Sequence, residues 1–387
     1  MKSLRDFNLK GKKVLIRVDF NVPMENGKIT DDTRIIETIP TINYVVQSFG
    51  KVILCSHLGR PKGKRVPEYS LKPVYEYLKK VLKVPVKFLE DITSEEADRV
   101  LKDLKEGEVL LLENIRFYEG ETKNDLEFAK VLAKFADIFI NDAFSVSHRT
   151  HASVVGVAQF ISEKGIGFQM EKELKYLSKI VGKPERPFYA IVGGSKVSTK
   201  IGVLRNLLNK VDKLIIGGIM ANTFLAAKGY SLGDSLFEHD YIDVAKQIMK
   251  EAKEQEVKIY LPVDVVVERN REIKEVSLRE IAKEDKIFDI GSETVKLFSQ
   301  ALEGAKTLVW NGPLGYFEKA PFYKGTVAIA RKIAVLPSTT IAGGGDTILA
   351  IKLAGVETSF SYISTAGGAF LEYLQGKELP GLKVLKI

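Results

Sequence analysis

The amino-acid sequence predicts an α/β protein of two doubly wound parallel-sheet (Rossmann-like) domains joined by a connecting helix, and three observations support this. Short, continuously apolar segments recur along the chain, and an amphipathic segment follows most of them. That alternation is typical of parallel strands covered by helices on both faces. The alternation is interrupted once, around residues 170–187, and then resumes. At 387 residues, the chain is also longer than one hydrophobic core usually supports.

The elements of the first half follow directly from this alternation. Strands are predicted at residues 14–20, 52–56 and 109–112, and helices at 32–49, 71–82 and 125–135. A connecting helix is predicted at 170–181, because Leu174, Leu177 and Val181 share one helical face and Gly182 with the proline-bracketed KPERP ends it.

The second half repeats the pattern after residue 187. Strands are predicted at 188–192, 214–216, 259–267, 308–310 and 339–342, with helical segments between them. We therefore expect an N-terminal domain at residues 1–169 and a C-terminal domain at 170–375 that includes the connecting helix. The tail at 376–387 is too short for a domain of its own, and we expect it to pack onto the first one.

Composition argues against several classes of function. The net charge of +8 arises from 58 basic and 50 acidic residues, a mixed surface without a basic tail, which argues against nucleic-acid binding. The single cysteine, Cys55, follows an apolar run and fits a buried thiol in a reducing compartment. No apolar segment has the length of a signal region or a membrane span, so we expect a cytoplasmic protein without membrane partners.

Polar and basic residues follow several predicted strands of the first half, where the carboxyl ends of parallel strands form ligand sites. They are Asp19, Asn21, Arg34, His57, Arg60, Arg116 and Arg149. A guanidinium group holds a carboxylate or phosphate through two parallel hydrogen bonds, so several of them favour a ligand with more than one anionic group. Any one of these residues, considered alone, is better explained as an exposed surface residue than as part of a ligand site. Together they predict a pocket for a small phosphorylated acid, whose hydroxyl Asp19 and Asn21 are suited to bind.

Glycine-rich turns follow predicted strands of the second half, although neither GxxxxGK[ST] nor GxGxxG occurs. Gly193 and Gly194 precede Lys196 and Lys200, which we expect on one face of a starting helix whose N–H groups favour phosphate. One of these lysines would meet the nucleotide and the other the group being transferred.

Two further turns complete the expected nucleotide site. GGGDT at 343–347 predicts a phosphate-binding turn with Asp346 as a magnesium ligand and Thr347 beside a phosphate oxygen. A tight turn with Asp346 as a helix cap explains that motif equally well. Gly217-Gly218 and WNGPLGYFE at 310–318 are apolar turns suited to a flat base, with Glu318 for the ribose hydroxyls.

Taken together, these motifs resemble phosphoglycerate kinase. RVDFNVP at 17–23, SHLGRP at 56–61, NDAF followed by HRTHAS at 141–153, WNGPLG with FE at 310–318, and GGGDT occur in that family's order over nearly the whole chain. The resemblance implies two facing domains with a hinge between them. The first would bind 3-phosphoglycerate or 1,3-bisphosphoglycerate, and the second ADP or ATP with Mg²⁺. It further implies a monomer that acts in glycolysis and gluconeogenesis, transferring a phosphoryl group directly and in line to a carboxyl acceptor.

The resemblance also implies roles for individual residues. Catalytic roles fall on Arg34, Lys196, Gly345 and Gly368. Phosphoglycerate binding falls on Asp19, Asn21, Arg34, His57, Arg60, Arg116 and Arg149. Nucleotide binding falls on Lys200, Gly217, Gly218, Asn311, Pro313, Glu318, Gly344, Gly345, Asp346 and Thr347, and metal binding on Asp346.

The chain departs from the family's pattern at several positions. Ser195 stands where GGAK is usual, Ser145 replaces the glycine after NDAF, and Ser292 replaces the proline of DIGPxT. Ala366 stands where STGGGA has glycine, and its Cβ is expected to crowd the backbone near a helix start. Tyr316 is large for a base pocket, which leaves the nucleotide preference open.

Two other functions remain as alternatives. A two-domain dehydrogenase has a similar architecture, but the missing GxGxxG and the basic strand exits argue against it. A non-catalytic protein that binds nucleic acid or a sugar phosphate explains the positive charge but not the second, nucleotide-like half.

Overall fold

The computed structural model describes residues 1–386, and these form two compact units. Unit 1 comprises Met1–Lys175 together with the C-terminal segment that begins at Glu378, and unit 2 comprises Tyr176–Lys377. The domain boundaries expected after residues 169 and 375 remain a prediction. Ile387, the end of the tail assigned to the first domain, lies outside the described residues.

Unit 1 is built on a seven-stranded parallel sheet of order β1-β9-β8-β2-β5-β7-β6. Its strands are β1 (Lys2–Ser3), β2 (Lys13–Arg17), β5 (Lys51–Cys55), β6 (Val86–Leu89), β7 (Val109–Leu112), β8 (Ile138–Asn141) and β9 (Glu163–Ile166), and β3 (Met24–Glu25) with β4 (Lys28–Ile29) forms a separate antiparallel pair. The strand order changes direction at β2, since β5 lies on one side of it and β8 on the other. A crevice at the carboxyl ends of β2 and β8 is therefore the expected ligand position.

Helices cover this sheet as the alternation predicts. They are α1 (Thr33–Gln47), α2 (Lys72–Val81), α3 (Glu95–Asp103), α4 (Glu119–Lys123) and α5 (Leu126–Ala133), with the C-terminal α14 (Pro380–Lys383). Central strand residues such as Ile16, Leu54 and Leu111 are fully buried and form one core with α1 residues such as Ile35 and Ile42. Burial of both strand faces explains why these strands read as continuous apolar runs.

Unit 2 has a six-stranded parallel sheet of order β12-β11-β10-β16-β17-β18. Its strands are β10 (Phe188–Val192), β11 (Lys213–Ile216), β12 (Lys258–Tyr260), β16 (Thr307–Asn311), β17 (Thr339–Gly343) and β18 (Tyr362–Ser364). The order reverses between β10 and β16, so the crevice beyond these two strand ends is the corresponding ligand position.

One strand prediction in unit 2 is wrong. Residues 259–267 do not form a single strand, because the chain turns around Pro262, which has no N–H for a sheet ladder. The second part, β13 (Asp264–Arg269), pairs antiparallel with β14 (Glu272–Ser277) and β15 (Lys286–Ile290) in a separate three-stranded sheet. Unit 2 therefore contains an antiparallel sheet that the apolar pattern alone did not reveal.

The helices of unit 2 are α7 (Ile201–Leu208), α8 (Gly218–Ala227), α9 (Ile242–Glu254), α10 (Ser292–Ala301), α11 (Lys324–Ala334), α12 (Gly345–Ala354) and α13 (Gly368–Leu374). The predicted connecting helix is α6 (Phe168–Val181), which starts two residues earlier than expected and continues from unit 1 into unit 2. Trp310 of β16 is fully buried in the core between this sheet and its helices, together with Ile329 and Ile333 of α11. In the described part of the chain, no helix is long and apolar enough to cross a membrane.

Candidate functional site

The crevice of unit 1 holds a hydrogen-bonded group formed by Asp19, Asn21 and Arg34. Asp19 and Asn21 follow β2, and Arg34 is the second residue of α1. Arg34 Nη1 donates to Asp19 Oδ2 at 2.6 Å and to the Asn21 carbonyl at 3.3 Å. The Asn21 N–H donates to Asp19 Oδ1 at 3.0 Å, while Asn21 Oδ1 accepts the Gly59 N–H at 2.9 Å. These bonds join the RVDFNVP turn to the SHLGRP turn.

His57, in the SHLGRP turn, is only 4% exposed. Burial lowers the pKa of His57 well below its ordinary value, and the positive charges of Arg17, Arg116, Arg149 and Arg34 lower it further. Arg17 Nη2 lies 3.1 Å from His57 Nδ1. Because a guanidinium group can only donate, Nδ1 accepts this bond, and the neutral ring carries its proton on Nε2. His57 is thus a neutral hydrogen-bond donor in a strongly positive environment.

Arg116 is a buried arginine of unit 1 with donors suited to bind an anionic ligand. It is 5% exposed, and Nη1 donates to the Gly59 carbonyl at 2.7 Å. Its Nε and Nη2 are buried and have no hydrogen-bond partner among the described residues. Burial, followed by the charges of Arg17 and Arg149, lowers the pKa of Arg116 to about 10. A buried guanidinium with unsatisfied donors is costly unless an anion binds it.

Arg116 opens onto a cavity of about 540 Å³ that has a basic wall. The lining side chains include Arg60, Arg116 and Arg149, and also Lys62 and Lys123, which the sequence analysis did not single out. The structure therefore brings Arg60, Arg116 and Arg149 together at one cavity, whereas the fourth predicted arginine, Arg34, does not line it. The cavity suits the phosphate end of a small ligand, whereas the group around Asp19 suits its hydroxyl.

Arg17, which contacts His57, belongs to a buried polar network. Arg17 is fully buried, and its Nε donates to Ser153 Oγ at 2.9 Å. Glu121, also fully buried, accepts the Ser153 hydroxyl at 2.7 Å and the Ser153 N–H at 2.9 Å. Burial alone would raise the pKa of Glu121, but the neighbouring His151, Arg17 and Ser153 hold it below its usual range. Arg17 opens RVDFNVP and Ser153 ends HRTHAS, so two motifs pointed to this network, whereas Glu121 lies outside the motifs.

In unit 2, Lys200 is fixed in the crevice between β10 and β16. Its Nζ donates to the Gly193 carbonyl at 2.6 Å and to Asn311 Oδ1 at 2.7 Å. Burial lowers the pKa of Lys200 to about 8, although the charge of Asp346 opposes this effect. Asn311 in turn donates from Nδ2 to the Gly343 carbonyl at 2.6 Å. One lysine and one asparagine thus join the three turns predicted to contact nucleotide phosphates.

The helix that was predicted to contain Lys196 and Lys200 begins only after both lysines, so this prediction is wrong. Residues 195–200 form a turn, and α7 begins only at Ile201. Glu238 accounts for this turn, because its carboxylate accepts the Ser198 N–H at 3.0 Å and the Ser198 hydroxyl at 2.5 Å. Lys196 lies on the exposed side of the turn. Glu238 lies 40 residues away in sequence and was not predicted.

The GGGDT turn leads directly into α12. Gly344 has φ +103°, a conformation that L side chains rarely adopt, and α12 begins at Gly345. Asp346 is exposed in the first helical turn. Thr347 is fully buried, and its Oγ1 accepts the Gly312 N–H at 2.7 Å, so its side chain holds α12 against the turn after β16.

A cavity of about 710 Å³ lies beside these turns. Its lining includes predicted nucleotide residues, namely Gly218, Pro313, Glu318 and Asp346, together with Gly194, Leu314 and Tyr316. Gly218 has φ +69°, and a Cβ there would meet the Gly194 carbonyl at 2.6 Å, so glycine permits the close approach of these turns. Tyr316 is 47% exposed and lies at the cavity wall next to Phe288, with ring centroids 5.9 Å apart.

Gly217 and Gly368 lie at helix starts. Gly217 precedes α8 and packs against Leu314, and Gly368 is the first residue of α13. Ala366, two residues before α13, is 3% exposed, and its N–H donates to Ser364 Oγ at 3.3 Å.

The residues around Asp346 are compatible with magnesium bound together with a phosphate ligand. Among residues 1–386, no group of three His, Cys, Asp or Glu side chains could hold a metal ion by itself. Mg²⁺ usually binds through one or two carboxylates plus phosphate oxygens and water, and Asp346 provides one exposed carboxylate beside the cavity.

Comparison with known proteins agrees with this geometry. The family model described as phosphoglycerate kinase matches residues 4–377. A phosphoglycerate kinase of Pelotomaculum thermopropionicum is 52% identical over 388 residues, covering 99% of this chain and 98% of that protein. One from Dictyoglomus turgidum is 52% identical over 390 residues, covering 99% and 98%.

Solved structures lead to the same family. The phosphoglycerate kinase structure from Coxiella burnetii has a TM-score of 0.90 and 43% identity, and the match covers 99% of this chain and 98% of that one. The Pyrococcus horikoshii enzyme has a TM-score of 0.85 and 35% identity, covering 100% and 98%. These similarities confirm the predicted fold class and leave the dehydrogenase alternative without support. The chain belongs to the phosphoglycerate kinase family.

Proposed function

We propose that this chain transfers a phosphoryl group reversibly between 1,3-bisphosphoglycerate and ADP, giving 3-phosphoglycerate and ATP, as its family does. In this proposal unit 1 binds the phosphoglycerate and unit 2 binds the nucleotide. Arg116 is the observation that carries the assignment to unit 1, because its buried, unsatisfied donors open onto a cavity lined by Arg60 and Arg149. The bonds from Lys200 to Gly193 and Asn311 support nucleotide phosphates in unit 2.

The chemistry requires no general base. The acceptor is a carboxylate with an ordinary pKa of roughly 4, which is ionised near neutral pH. The residues of this chain therefore act by orienting the ligands and by neutralising negative charge on the transferred group. Arg34 and Lys196 are assigned this second role, assisted by the helix starts at Gly345 and Gly368.

Magnesium is part of the proposal. Asp346 is the residue that would hold it, and when bound the ion would offset charge on the nucleotide phosphates. We also assign the hinge of the family to α6, which connects the two units. A monomeric state and a cytoplasmic location complete the proposal. The single thiol, Cys55, is buried, and its burial raises its pKa to about 12, which suits a reducing compartment.

A coupled assay tests the proposed reaction. The chain is incubated with ATP, Mg²⁺ and 3-phosphoglycerate, and acyl-phosphate formation is followed as NADH oxidation through glyceraldehyde-phosphate dehydrogenase. We expect turnover that disappears when 3-phosphoglycerate is omitted. A folded protein that binds ATP with Mg²⁺ but gives no dependent turnover would contradict the proposal, and light scattering after size exclusion tests the monomer.

A further inference from the structure

Ser145 lies in the unit 1 crevice, at a position where the family's usual pattern has glycine. It is the second residue of a 3₁₀ helix, Phe144–Val146, that follows β8, and it is half-buried. The 3₁₀ helix lies beyond the carboxyl end of β8, next to the strand exit of β2 that carries Asp19. Ser145 therefore faces the ligand position of the sheet rather than its rim.

The Ser145 hydroxyl binds the same oxygen atom as Arg34. Ser145 Oγ donates to Asp19 Oδ2 at 2.5 Å, and Arg34 Nη1 donates to that oxygen at 2.6 Å. The other oxygen, Oδ1, accepts the Asn21 N–H at 3.0 Å. Asp19 and Arg34 are 12% and 30% exposed in their side chains, so solvent screens this ion pair only in part.

The two groups that donate to Asp19 Oδ2, Ser145 and Arg34, differ in what the proposed function requires of them. In the proposed function, Arg34 must direct its positive charge toward the anionic ligand, which competes with Asp19 for the guanidinium. A partly buried carboxylate oxygen that loses its donor carries a desolvation cost. Ser145 is placed to offset this cost, since its hydroxyl would continue to donate to Oδ2 when Arg34 turned to a ligand. A glycine at this position has no side chain that would do so.

We propose that Ser145 is a positioning residue of phosphoryl transfer: it satisfies Asp19 Oδ2 and so makes Arg34 available to the anionic ligand. This inference rests on the proposed function. It concerns a residue of this chain that acts through Asp19 and Arg34 and does not itself contact the reacting atoms.

Steady-state kinetics of S145A tests the inference. We expect kcat to fall about fivefold, which is the size of effect expected when one hydrogen bond to a partly screened charged group is lost. The affinity for ADP with Mg²⁺ should stay unchanged, because unit 2 binds it. S145T keeps a hydroxyl and should retain wild-type kcat. S94A is the matched control, since the Ser94 hydroxyl donates to the Asp91 carbonyl in the same unit, away from the crevice, and it should also behave as wild type.

A double-mutant cycle with D19N separates positioning from general packing. If Ser145 acts through the Asp19 charge, S145A should change kcat less than about twofold in the D19N background. Wild-type kcat in S145A, an equal loss in S145T, or the full fivefold effect in the D19N background would each overturn the inference. Should S145A lose its cooperative melting transition, S145C, with a weaker donor of similar size, provides the same comparison. Absence of turnover in the unmodified chain would instead refute the proposed function.

Discussion

The buried lysine of unit 2 leads to a specific prediction about pH. Lys200 has a pKa of about 8 because it is buried, against 10.5 for an exposed lysine. Its positive charge is the property that a nucleotide phosphate would recognise. Raising the pH from 7 to 9 is therefore the perturbation of choice, because it removes a single charge from this crevice without a mutation.

The expected magnitude follows from the fraction of Lys200 that is protonated. With a pKa of about 8, that fraction falls from about nine-tenths at pH 7 to about one-tenth at pH 9. The terminal phosphate of ADP has a pKa of roughly 6, so its charge is nearly constant over this interval. If only the protonated lysine binds the phosphates, the dissociation constant for ADP with Mg²⁺ rises about tenfold between pH 7 and pH 9. The sign follows from the lowered pKa, since binding is complete below pH 8 and is lost above it.

Isothermal titration calorimetry at constant free Mg²⁺ measures this dependence directly. K200M is the control, because it should bind weakly at every pH and show a flat profile. D346N tests the electrostatic part, since Asp346 raises the Lys200 pKa, and its removal should move the loss of binding to lower pH. A wild-type dissociation constant that stays constant from pH 7 to pH 9.5 would refute the reasoning.

Three further predictions concern single side chains. R34A should lower kcat by at least about 100-fold while ADP affinity stays within about twofold, and near-normal turnover would remove Arg34 from the catalytic role. D346A should weaken binding of ADP with Mg²⁺ by at least about tenfold and leave phosphoglycerate binding intact; calorimetry that finds equal losses would contradict the assignment of ligands to units. E238Q removes the charge from both hydrogen bonds that Glu238 accepts from Ser198 and should lower kcat about fivefold through the Lys196 turn, with an unchanged KM for 3-phosphoglycerate; wild-type kinetics would show that this turn does not need the charge.

The sequence predicted those parts of the fold that depend on local pattern. Strands buried on both faces, such as β2 and β10, appear as continuous apolar runs, and their exits carry the motif residues. The short strand β9, Glu163–Ile166, was missed because its residues EKGI are half polar and contain glycine. The division of 259–267 was missed because the apolar run was read through Pro262, whose missing N–H ends the parallel strand.

For the candidate site, the sequence indicated which residues follow the strands, but it did not indicate the hydrogen bonds that hold them. The arginines could be grouped because parallel strands end at one edge of a sheet. The start of α7 could not be predicted, since the bond from Glu238 to Ser198 spans 40 residues. For the same reason the bond from Ser145 to Asp19, across 126 residues, has no local signature. Motifs thus indicate which side chains are candidates for the site, whereas hydrogen bonds to residues distant in sequence hold them in place.

Unit 1 consists of two chain segments that are far apart in sequence, and this affects how it folds during synthesis on the ribosome. The last part of unit 1 begins at Glu378, about 200 residues after Lys175. The Gly381 N–H in this segment donates to the Ser147 carbonyl at 2.8 Å, just after the 3₁₀ helix that carries Ser145. At about 5–20 residues per second, the ribosome needs roughly 10–40 s to produce the intervening chain. During that interval the nascent unit 1 has all the strands of its sheet but not its final segment, which is synthesised only after unit 2.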